Sequence, residues 1–89
     1  MRMYVAGQWV DKTQTISVEN PYDRTVIDTV PRADRGDVER ALESATRGAK
    51  TMAKLSGLDR YKILREAADL MVARQEDLGR TISMEEGKI

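Results

Sequence analysis

The stretch Asn20-Pro21-Tyr22-Asp23-Arg24-Thr25-Val26-Ile27-Asp28-Thr29-Val30-Pro31, followed by Asp34 and Asp37, is where the chain changes from one kind of structure to another. Pro21 fixes its own φ and turns Asn20 away from helix, while Asn and Asp side chains close turns on their own backbone. Thr25 to Val30 is β-branched at every position but Asp28, which predicts a strand, and Pro31 is read as its stop. Three residues later Asp34 offers an N-cap, and Asp37 adds negative charge to the first turn of a helix.

Reading outward toward the N-terminus, every apolar run is short. Met3-Tyr4-Val5 and Gln8-Trp9-Val10 flank Ala6-Gly7, the pattern of two strands about a glycine turn, and Ile16-Ser17-Val18 alternates at strand period. Reading outward toward the C-terminus, the period changes to helical. Val38, Ala41, Leu42, Ala45, Ala49 and Met52 recur at three- and four-residue steps. Ser56-Gly57 breaks this helix, and Asp59 is read as the cap of the next. There, Ile63, Leu64, Ala67, Ala68, Leu70 and Met71 form an apolar band too wide for one exposed stripe, so contact with more than one neighbour is expected. Leu78 and Ile82 mark a third helix that Gly87 is placed to end. Strands first and helices after predict an α+β unit, with helices packed on an antiparallel hairpin. The expected layout is a single partial domain over residues 1–89, with strands within 3–30 and helices over about 35–54, 59–74 and 75–86.

Composition narrows the function. The chain has 89 residues, no cysteine and no histidine, so it cannot build a Cys–His pair, a Ser–His–Asp triad, a Cys/His zinc site or a disulfide. It has no Phe and one Trp, and Leu, Ile and Val lie near the roughly one-fifth level below which chains tend to be disordered. Fifteen basic residues balance fifteen acidic ones, which argues against disorder driven by net charge and against nucleic-acid binding. Arg32, Arg35, Arg40, Arg47, Lys50 and Lys54 alternate with acids, as on a solvated helix face. No run is long or apolar enough to read as a membrane span or signal peptide, and the missing cysteine fits a reducing compartment, so the cytoplasm is expected. The six glycines form no G-x-G-x-x-G or Walker loop. Lys12, Lys88 and the pairs Asp34/Asp37 and Glu85/Glu86 are the acid–base or Schiff-base candidates; caps, dipole partners or surface charges explain each better. Trp9 and Tyr22 are read as core or hinge aromatics.

Taken in order, the pieces resemble the N-terminal segment of the NAD(P)-dependent aldehyde dehydrogenases. The resemblance runs through Tyr4-Val5-Ala6-Gly7-Gln8-Trp9-Val10, then Val18-Glu19-Asn20-Pro21 to Val30-Pro31, then Asp37-Val38. It continues in Arg60-Tyr61-Lys62-Ile63-Leu64-Arg65-Glu66-Ala67-Ala68-Asp69-Leu70 and closes on Glu85-Glu86-Gly87-Lys88. Glu19 and Glu86 depart from the residues most members carry there. In the parent family this segment is part of an α/β Rossmann-like cofactor-binding domain. The resemblance implies NAD or NADP for the parent, and places the catalytic cysteine, the general-base glutamate and the cofactor-binding residues after Ile89. No cofactor is expected for this chain alone. It also implies that the backbone carbonyls of Val18 and Glu19 contribute to a monovalent cation site. The expected partners are the rest of such an enzyme chain or a second copy met through the apolar helix faces, with the parent a homodimer or homotetramer. A short non-enzymatic interaction module derived from the family is the alternative.

Overall fold

The computed structural model describes residues 1–87. Four short strands form two separate antiparallel hairpins, and three helices follow. Strands β1 (Met3–Val5) and β2 (Gln8–Val10) pair with Tyr4 opposite Trp9. Their two-residue turn, Ala6-Gly7, is left-handed at both positions, with φ of 50° and 80°. This sense of turn matches the right-handed twist of the strands it joins. Strands β3 (Thr15–Glu19) and β4 (Val26–Pro31) form the second hairpin, with a register shift between Val18 and Glu19. Pro31 does not stop the strand one residue earlier, as the sequence suggested. It is the last residue of β4, opposite Thr15, and it is buried. A proline is tolerated at a strand end because no ladder donor is needed there.

Helix α1 (Arg35–Ala53) opens with a reciprocal cap: the Asp37 backbone N–H donates to Asp34 Oδ1 at 2.8 Å, and the Asp34 N–H donates to Asp37 Oδ2 at 2.9 Å. Helix α2 (Gly57–Ala73) begins before the expected residue 59 because Ser56, not Asp59, is its cap. The Asp59 N–H donates to Ser56 Oγ at 3.1 Å, and Asp59 Oδ2 accepts the Ser56 N–H at 3.2 Å. Ser56 therefore nucleates the helix that its Ser-Gly pair had seemed only to interrupt. Arg74 ends α2 and starts α3 (Gln75–Glu86) without a side-chain cap. Gly87 closes α3 in the left-handed conformation, φ 66°, as its position predicted.

The expected packing of helices onto one hairpin is not closed, and the strands form two hairpins rather than one. Helix α1 meets β1, and α3 folds against α2, but among the described residues no Leu, Ile, Val, Met, Tyr or Trp is buried. The radius of gyration is 16.7 Å, where a compact chain of this length would have about 12 Å. The accessible surface is 7773 Å², against about 5,200 Å² for a compact monomer of this mass. Leu42, Leu64, Leu70 and Met71 are each about 60–70% exposed. The apolar band of α2 stays largely exposed among the described residues.

Candidate functional site

Two places gather polar groups. The first is the turn between β3 and β4. The Tyr22 N–H donates to Asn20 Oδ1 at 2.9 Å, and the Arg24 N–H donates to the Asn20 carbonyl at 2.8 Å. Asp23 Oδ1 accepts the Thr25 hydroxyl at 2.7 Å and the Thr25 N–H at 3.0 Å, bonds that lower the Asp23 carboxyl pKa. Val18 and Glu19 lie at the register shift on the entry side of this turn. The Glu19 side chain turns to Arg24 Nη2, 3.3 Å away. Seen from the far side, a Cβ added to Gly87 would stand 3.0 Å from Pro21 Cγ, so the end of α3 rests directly on the turn.

The second place lies between the β2–β3 loop and the start of α1. Lys12 Nζ is 2.9 Å from both Asp34 Oδ2 and Asp37 Oδ2, and Arg40 pairs with Asp37 Oδ1. Asp37 is 1% exposed and is the one buried charged residue among those described. Its two oxygens meet two cations and a backbone N–H, which is what a carboxylate withdrawn from water needs. The Lys12 side chain, followed by the Asp37 N–H, holds the Asp34 carboxyl down at about 2, and the same two aspartates raise the Lys12 pKa. A shallow cleft of about 270 Å³ opens beside this cluster between Thr13, Gln14 and Arg32.

The sequence candidates are thus brought together only in part. Lys12, Asp34 and Asp37 meet, as a structural latch with no free base. The reading of Asp34 and Asp37 as cap residues is correct, but Asp37 is not a surface charge. Arg40, expected on the solvated helix face, instead pairs with buried Asp37, and no spacing signal joins Lys12 to an aspartate twenty-two residues later. Lys88 lies outside the described residues. Trp9 and Tyr22 are not core aromatics. Tyr22 is 87% exposed, and Trp9, 62% exposed, packs on Tyr4 with ring centroids 5.0 Å apart. Among the described residues, no three acidic, histidine or cysteine side chains come together in a metal-binding group.

A model of the aldehyde dehydrogenase family matches residues 9–89. The chain belongs to the aldehyde dehydrogenase family. It is 38% identical over 87 residues to a glutarate-semialdehyde dehydrogenase of Pseudomonas aeruginosa, a match that covers 96% of this chain. It is 37% identical to the glutarate-semialdehyde dehydrogenase of Pseudomonas putida over the same length. The chain spans 18% of the length of these relatives.

Membership of the family implies NAD(P) for the parent enzyme, and among the described residues no helix N-terminus is left open for its phosphates. A glycine-rich backbone at an open helix N-terminus is a ready site for a dinucleotide pyrophosphate. Here the N-termini of α1 and α2 are filled by their own aspartates, and the first turn of α3 carries Glu76 and Asp77. Each would repel a phosphate. Among the described residues, no helix is long and apolar enough to cross a membrane.

Proposed function

We propose that this chain is the N-terminal part of an oxidoreductase that oxidises an aldehyde to a carboxylic acid with NAD(P)+ through a cysteine thiohemiacetal, and that the chain alone is catalytically inert. The observation that carries this is a family match over residues 9–89 together with apolar side chains that stay uncovered among the described residues. The reaction needs a thiolate, and this sequence contains no cysteine. What the chain supplies is framework: two hairpins and a capped helix pair whose apolar sides are made to be covered. In the enzyme it forms the edge of the cofactor-binding domain, in the cytoplasm, within a homodimer or homotetramer. The carbonyls of Val18 and Glu19, where the ladder shifts register, are its contribution to a monovalent cation site, with the remaining oxygens coming from elsewhere.

The test is direct. The purified chain is mixed with NAD+ or NADP+ and a panel of aldehydes, with glutarate semialdehyde first because of the two relatives' names. No reduced cofactor should form above the buffer rate; turnover would overturn the proposal. The exposed apolar faces also favour a second reading, in which the chain acts as an interaction or oligomerisation module without chemistry.

A further inference from the structure

The break between α2 and α3 has no local cause. Val72-Ala73-Arg74-Gln75-Glu76-Asp77-Leu78 contains no proline, glycine or serine, and Ala73, Arg74, Gln75 and Glu76 are all strong helix formers. Sharp bends in helices almost always fall at proline, at Gly/Ser pairs or where a group enters the hydrogen-bond ladder. Here the helix stops at Arg74, with φ −113° and ψ 19°, and restarts one residue later without a side-chain cap. Helices α1 and α2, by contrast, each open on a complete capping box. The junction is not buried, since residues 71–80 are all exposed. Half-buried positions return only at Thr81, Ser83 and Met84. The hold on α3 is at its far end. There Gly87 stands so near the 20–24 turn that a Cβ would meet Pro21 Cγ at 3.0 Å and the Tyr22 nitrogen at 3.6 Å.

We propose that Arg74 is a hinge with two states. In the bent state, seen here, the 20–24 turn holds the end of α3. In the straight state α2 and α3 join as one helix over residues 57–86. Each state keeps something the other gives up. Straightening lets the N–H groups of Gln75, Glu76 and Asp77 donate to the carbonyls of Met71, Val72 and Ala73, groups that lack an intrahelical partner at broken helix ends. Bending keeps the Gly87–Pro21 contact and leaves Glu76 and Asp77 at the positive end of the α3 dipole. Local preference and tertiary contact therefore pull in opposite directions, which is the condition for a bistable element. The turn is the latch. Its shape is set by the Tyr22 N–H on Asn20 Oδ1 and the Thr25 N–H on Asp23 Oδ1, and that shape decides where Pro21 stands. Whatever moves Pro21 frees an arm about 18 Å long, the length of α3.

The test reads distance and amide exchange, neither of which depends on the oxidoreductase reading. Spin labels on Lys62→Cys and Arg80→Cys go to exposed positions and nowhere else, because the chain has no cysteine of its own. In an unbroken helix these two Cα atoms stand about 27 Å apart. The labelled chain should give a distance several ångströms shorter, from the bent state. Two variants open the latch by different routes: Gly87→Ala adds the clashing Cβ, and Pro21→Ala removes Cγ while leaving the Gly87 cap. Each should move the distance to about 27 Å. Each should also slow exchange of the Gln75, Glu76 and Asp77 amides about fivefold, whereas the plain loss of a packing contact speeds exchange. Adding Arg74→Gly, which penalises only the straight helix, should return the balance toward the bent state about fourfold. A distance of about 27 Å before the latch is opened overturns the proposal. So does a distance unchanged in both latch variants, or faster exchange at 75–77 with a loss of helical circular dichroism, which would mean that α3 unravels instead of joining α2.

Discussion

At the scale of single residues, two positions show how local chemistry sets the backbone. Ala6 holds φ 50° beside Gly7 at 80°. A left-handed alanine costs about 1–2 kcal/mol that asparagine largely avoids. Ala6→Asn, which creates the Asn-Gly pair this turn favours, should stabilise the β1–β2 hairpin by about 1 kcal/mol, seen as stronger Tyr4–Trp9 cross-strand NMR contacts. Asp34 is the second position. Its folded pKa of about 2 lies below the ordinary carboxylate value, chiefly because of Lys12. The stabilisation it gives is therefore complete above about pH 4 and is lost as pH falls toward about 2. Lys12 is shifted upward, so its share is complete below its ordinary value and fades only in strong alkali. The docking of α1 should be flat between those limits. Its acid limb, followed by NMR of Lys12 Nζ, should shrink in Asp34→Asn.

At the scale of elements, the sequence was legible wherever a backbone preference is local. The Asn-Pro turn, the β-branched run from Thr25 and the Asp34 cap all appear in the fold because each acts within four residues. Sequence alone starts α2 at residue 59 rather than 57, because Ser56-Gly57 carries two signals at once, a break and a cap. The capping box decides between them by satisfying two helix-end groups together. Ser56→Ala should thus cost about 1 kcal/mol and fray the first turn of α2, measurable as faster amide exchange at Asp59 and Arg60. Ion pairs were less legible. Glu43 and Arg47 stand in favourable i,i+4 order without pairing, while Arg35–Glu39 and Arg65–Asp69 form. Such exposed pairs differ by too little for sequence to rank them. Gly87 joins elements, since its φ of 66° ends α3 and its missing Cβ admits Pro21. Gly87→Ala should cost more than about 1 kcal/mol and release α3 from the 20–24 turn, lowering the Tyr22 amide protection.

At the scale of the whole molecule, the controlling fact is that no large apolar side chain among the described residues is buried. Truncating a buried leucine costs about 2–5 kcal/mol. Leu42 is 63% exposed, so Leu42→Ala should change stability by less than about 1 kcal/mol, a difference that a urea titration resolves. The sequence by itself determined the order of elements, the Asp34 cap, the Asn20-Pro21 turn, the family, and the absence of a cysteine nucleophile. These depend on neighbours in the chain or on the presence of an atom. Only the tertiary structure decided that Lys12 reaches across to bury Asp37, that Gly87 sits on Pro21, and that the apolar stripes of α1 and α2 remain open. Those facts depend on which surfaces meet in space. A hydrophobic stripe states that it needs cover, and only the folded arrangement shows whether cover is there.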